Sequence, residues 1–253
     1  MRSGLLALML LLAPSLAHAG WYRVANYVGY IGSYPVHLSL QDYASFGSGL
    51  NVEGSYYYDA HLAPIPLYGK RIGERIELCE IHSAQAYQRV LSMGSRKGFD
   101  THACPLQLVV ENGAIRGRWR DARHSYSVKL RQVGKLDDTG AGRVSGRVDI
   151  PFWGQTRHHA FIGVYRNGKN GITIDSIRVV DKRTRSVIQQ FDPQQHNCAF
   201  GFFMTPIYMN LESATGAAGK GRRIGLNCNA PHGGSWVEYR FDAKSKRFIW
   251  ADD

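Results

Sequence analysis

Apolar and polar residues alternate in short runs through most of this chain, and turn residues punctuate them. In residues 36–40, Val36, Leu38 and Leu40 fall on one side while His37 and Ser39 fall on the other, the period-2 pattern of a half-buried strand. A Gly32-Ser33-Tyr34-Pro35 turn joins that run to a preceding one at 27–31. The same reading gives strands at 50–59, 65–70, 75–81, 106–110, 115–120 and 125–131. Asn112-Gly113 between two of them is a strong hairpin signal. Eight strands joined by turns predict an antiparallel meander, closed as a barrel or folded as a sandwich.

Strands resume at 143–150, 160–165, 172–180, 186–191, 222–227, 236–241 and 247–250. Between the two sets lies a polar, glycine-rich stretch from Gly134 to Gly142, which reads as a linker. The organisation expected is therefore all-β: a signal peptide at 1–19, an N-terminal domain at 20–134, a linker at 135–142 and a C-terminal domain at 143–253. The second domain reads as a hairpin-rich sandwich or a propeller-like unit. Residues 85–93 are the one place where a turn or two of helix fits. The C-terminal part also echoes itself. Residues 180–188 and 241–249 each leave a strand at an Asp, pass a basic, hydroxyl-bearing tip and return through apolar residues.

The first residues set the compartment. Arg2 precedes an unbroken apolar run from Leu5 to Ala13, and Ala17-His18-Ala19 supplies a small-x-small cleavage pattern before Gly20. The run is too short to span a bilayer, so a cleaved chain that is periplasmic or secreted and not membrane-spanning is expected. Export suits the four cysteines: Cys79–Cys104 and Cys198–Cys228 are the expected bridges, each closing a loop within one half of the chain. The spacing has no C-x-x-C, so no metal and no cofactor is expected. Beyond Ala19 the chain holds 30 Lys and Arg (31 less Arg2) against 20 Asp and Glu. This basic balance favours anionic partners, and in that compartment an envelope component or a protein is expected rather than nucleic acid.

No nucleophile elbow, zincin motif or phosphate-binding loop occurs in the chain. His158-His159 are strand neighbours that point to opposite faces, which disfavours a shared metal or substrate. The best-defined surface feature is 115–120, where Ile115 and Trp119 take the inner side and Arg116, Arg118 and Arg120 the outer. Guanidinium forks suit carboxylate and phosphate groups, although exposed sheet faces are charged in ordinary proteins too. Eleven of the 14 tyrosines precede Leu136, and Tyr57 should face away from Tyr56 and Tyr58. The candidate binding residues are therefore Arg116, Arg118, Arg120, Tyr56 and Tyr58.

Two patterns carry a family resemblance. Tyr27-x-Gly29-x-Ile31-Gly32, Val36-x-Leu38-x-Leu40 and Val52-x-Gly54-x-Tyr56-Tyr57-Tyr58 resemble a β-rich module of secreted bacterial proteins. Ile172-x-Ile174, Val179-x-Asp181-Lys182 and Tyr239-Arg240-Phe241-Asp242 are similar to exported integrin-like, propeller-related proteins, some of which inhibit peptidoglycan-cleaving enzymes. The chain has no D-x-[DN]-x-D-G loop, so the resemblance brings no calcium site and no functional residue. It implies a non-enzymatic envelope binding protein, an inhibitor or immunity protein for a cell-wall hydrolase. The charge points instead to a binder of anionic polysaccharide or lipid headgroups, and an unrecognised hydrolase is the third reading.

Overall fold

The alternation of the first half closes on itself. A computed structural model describes residues 22–43, 51–83, 101–137, 147–168, 171–198, 207–215, 222–230 and 233–251. The first eight strands are β1 (Tyr22–Ile31), β2 (Tyr34–Tyr43), β3 (Val52–Tyr58), β4 (Ile65–Ile72), β5 (Arg75–Glu80), β6 (Leu106–Glu111), β7 (Ala114–Arg120) and β8 (Ser125–Asp137). Each pairs antiparallel with the next, and β8 returns to β1 to complete a closed barrel. Leu38, Val52, Leu67, Leu78, Ile115 and Val128 point inward and fill the lumen. Eight strands leave an interior just wide enough for side chains to fill. The apolar lumen and charged outer positions reverse the distribution that a barrel in lipid requires. Among the described residues no helix is long and apolar enough to cross a membrane.

Turn chemistry sets the register. Asn112 and Gly113 both have positive φ, 50° and 75°, which fits the two-residue hairpin between β6 and β7. Cys79 at the end of β5 is bridged to Cys104, just before β6, with Cα atoms 4.5 Å apart.

The second half forms two four-stranded antiparallel meanders. One holds β9 (Val148–Pro151), β10 (His159–Gly168), β11 (Gly171–Asp181) and β12 (Ser186–Phe191); the other holds β13 (Leu211–Thr215), β14 (Arg222–Ala230), β15 (Gly233–Asp242) and β16 (Arg247–Trp250). They share one core, in which Phe161, Ile177 and Val179 meet Ile224, Leu226 and Phe248. The Phe161 and Phe248 rings lie 5.1 Å apart, edge to face. This is the sandwich of the two architectures expected for this half. Cys198 is bridged to Cys228 on β14. The sequence echo is a structural one: it marks the hairpin between the third and fourth strands of each sheet. Asp181 accepts the N–H groups of Arg183 and Thr184, Asp242 those of Lys244 and Ser245, and Arg185 and Lys246 have φ of 58° and 57°.

Barrel and sandwich are packed together. Val24, Tyr43 and Leu136 belong to the sandwich core cluster, and Tyr57 packs outward against Ala160, Ile162 and Val180. Trp153 donates its Nε1 to the carbonyl of Gly54 at 2.7 Å, and the Ser39 and Tyr208 hydroxyls share a buried hydrogen bond of 2.9 Å. Residues 135–137, expected in the linker, continue β8 instead, because Leu136 is a buried core residue. The rest of that stretch, residues 1–19 where a signal peptide is expected, and the 85–93 segment lie outside the described residues.

Candidate basic binding wall

The arginine stripe lies on β7, where burial alternates residue by residue. Ile115 is fully buried, and Trp119 packs in the lumen with its Nε1 donated to Glu80 Oε1 at 2.7 Å. That anchoring turns Arg116, Arg118 and Arg120 to the outer wall, where all three are exposed. The neighbouring strand adds to them. Lys129 on β8 is directly opposite Arg116, and Arg131 is opposite Ala114, both exposed on the same side. β1 then places Tyr30 opposite Lys129. Tyr30 is 54% exposed, a large aromatic surface beside the cations.

These groups border a groove. Tyr30, His37, Asp59, Arg116, Lys129 and Arg131 line a cleft of about 640 Å³ on the outer wall of the barrel. A second cleft of about 470 Å³ shares Val28, His37 and Arg131 with it and runs on to Arg147 and Asp149, where the sandwich begins. Within this continuous depression the charges are unevenly satisfied. Asp59 faces His37 at 3.3 Å, Arg147 faces Asp175 at 3.2 Å, and Asp149 accepts from Arg178. Arg116, Arg118, Arg120, Lys129 and Arg131 have no carboxylate at ion-pair distance among the described residues. Asp121, next in sequence to Arg120, is committed to its own turn. The backbone N–H groups of Arg123 and His124 hold its carboxyl below the ordinary carboxylate range. Arg120 is tethered by a hydrogen bond to the carbonyl of His102 at 3.2 Å. Successive outward positions on a strand lie about 6.8 Å apart and adjacent strands about 4.8 Å apart, so the cations repel one another across a small area.

Tyr56 and Tyr58 are not part of this wall. Tyr57 points the opposite way, as the alternation requires, but neither side of β3 is open. Tyr57 lies under the sandwich. Tyr56 and Tyr58 face the lumen with their rings 5.5 Å apart, and the Tyr56 hydroxyl donates to Glu80 Oε1 at 2.6 Å. Burial and the Glu80 charge push that hydroxyl far above the usual phenol value. The aromatic beside the cations is Tyr30. Lys129, Arg131 and Tyr30 carried a sequence signal in the alternation of their own strands. What the sequence lacked was the pairing of β7 with β8 and of β8 with β1.

Among the described residues the other histidines and cysteines do not converge. His159 is buried and His158 exposed, with ring centres 6.5 Å apart. All four cysteines are in disulfides and present no thiolate. A further cleft of about 940 Å³ lies where the barrel meets the sandwich, lined by Pro64, His82, Trp153, Glu212 and Ser213. No protein-family model and no curated protein matches the chain.

Proposed function

We propose that this chain is an extracytoplasmic binding protein whose basic barrel wall receives an anionic component of the cell envelope. The observation that carries the reading is the cluster of five exposed cations on β7 and β8 with no carboxylate partner among the described residues. Folding gains little from such a cluster, because like charges on neighbouring strands repel. A ligand with several carboxylate, sulfate or phosphate groups would relieve that repulsion, and the guanidinium fork fits those groups in a bidentate manner. Tyr30 adds an apolar face with a polar tip at the edge of the groove. The two disulfides suit an oxidising, extracytoplasmic compartment, where anionic polymers and headgroups are available.

The test is the triple variant Arg116→Glu/Arg118→Glu/Arg120→Glu, compared with wild type for melting temperature and for retention on immobilised dextran sulfate and on phosphatidylglycerol vesicles at low and high salt. Exposed charges contribute little to folding, so the melting temperature should stay within a few degrees. Retention should fall sharply at low salt, and the two matrices separate a polymer ligand from a headgroup. A folded variant retained as strongly as wild type on both would overturn the reading.

A further inference from the structure

The outward face of the β13–β16 sheet carries a tryptophan in an unusual setting. Trp236 on β15 is directly opposite Asn227 on β14, which makes Gly225 its diagonal neighbour. A Cβ at Gly225 would lie 1.6 Å from Trp236 Cζ2 and 2.3 Å from both Cε2 and Cη2. The six-membered ring of the indole therefore lies flat on the bare backbone of Gly225, and any side chain there would lift it. Its other face is in water: the residue is 50% exposed, and no acceptor for its Nε1 lies within reach among the described residues. Covering a glycine in a sheet accounts for the inner face of the ring. Among the described residues nothing packs on the outer one.

Two carboxylates flank this platform. Gly225 is in register with Glu238 on β15 and with Glu212 on β13, so the three form one row across the sheet with the indole above its centre. Each carboxylate is held by one oxygen. Glu238 Oε1 accepts from Arg223 at 2.6 Å and Glu212 Oε1 from Asn227 at 3.1 Å. In both, Oε2 has no hydrogen-bond partner among the described residues. A flat aromatic face between fixed acceptors is complementary to a pyranose ring, which offers C–H groups on one face and hydroxyl donors around its rim.

We infer that this sheet face binds an uncharged pyranoside, stacked on Trp236 and hydrogen-bonded through its hydroxyls to Glu212 and Glu238. The two carboxylates disfavour acidic sugars, so the ligand differs in chemistry from the one expected at the basic wall. The two sites stand or fall separately. Glu212 also lines the 940 Å³ cleft that leads toward Trp153 and the barrel mouth, which gives a longer glycan a path off the platform.

The experiment is a titration of the full chain with N-acetylchitotetraose and with cellotetraose, both uncharged, followed by tryptophan fluorescence and calorimetry. At least one should saturate wild type. Trp236→Ala should weaken it about tenfold or more, and Trp236→Tyr, which keeps an aromatic face, should stay within about threefold of wild type. Failure of both saccharides to saturate wild type, or equal affinity in a folded Trp236→Ala variant, would overturn the inference. Where Trp236→Ala does not fold, the double variant Glu212→Ala/Glu238→Ala leaves the indole in place and decides the question. Loss of binding supports the site and unchanged affinity refutes it.

Discussion

Glu53 makes stability depend on pH. It sits on β3, opposite Gln41 and Tyr68, and its Oε2 is sealed from solvent without a hydrogen-bond partner. Burial raises its carboxyl from the ordinary 4.5 to about 8, with the Tyr43 hydroxyl nearby acting in the opposite direction. Between those two values the folded protein keeps a proton that the unfolded chain has released. Its contribution to stability is therefore complete below about pH 4.5 and is lost as pH rises through about 8. The slope should reach at most about 1.4 kcal/mol per pH unit. Glu53→Gln should match wild type in melting temperature near pH 5 and exceed it at pH 8 to 9. Parallel profiles for the two proteins would show that Glu53 is solvated. The same scale shows what parity can and cannot tell. Alternation separated Arg116, Arg118 and Arg120 from Ile115 and Trp119, and Tyr57 from its neighbours. It carries no sign, though, so it could not say which side of β3 was lumen and which was sandwich.

At the level of elements, loop length sets what each disulfide contributes. Cys198 and Cys228 are separated by 30 residues, a closure worth about 3 to 4 kcal/mol on the chain-entropy estimate. The double variant Cys198→Ala/Cys228→Ala should lose that amount in urea denaturation. A loss under about 1 kcal/mol would show that the bridge adds nothing to an already packed core. Both pairings were legible because each closes a local loop, and so were the hairpins around Asn112-Gly113, Asp181 and Asp242, which rest on local turn chemistry. β13 was not: Leu211-Glu-Ser-Ala-Thr215 is short and polar, and only its register with β14 makes it a strand. β1 starts at Tyr22 and β8 ends at Asp137, beyond the alternating cores seen in the sequence, because the two pair along almost their whole length. That closing pair joins the ends of a long segment, a contact that no local pattern encodes.

For the whole molecule, the shared core is the main departure from a chain of two separate domains. Val24, Tyr43 and Leu136 of the barrel pack into the sandwich cluster, and Tyr57 is covered by β10 and β11. Barrel and sandwich should therefore unfold in one calorimetric transition. Two separated transitions would mean that this interface is weak. The basic wall lies on the barrel and the Trp236 face on the sandwich, so a single rigid body would present two chemically different surfaces. An anion held by the exposed cations of β7 and β8 must be released as salt rises. Affinity for dextran sulfate is measured over a range of salt concentrations for wild type and for Arg116→Gln/Arg118→Gln/Arg120→Gln, which removes charge without reversing it. Each lost contact should make the log–log slope shallower by about 0.7 to 0.9, so the variant should differ from wild type by about 2 to 3. Identical slopes and affinities in the two proteins would contradict the account and leave the stripe as an ordinary solvated strand face.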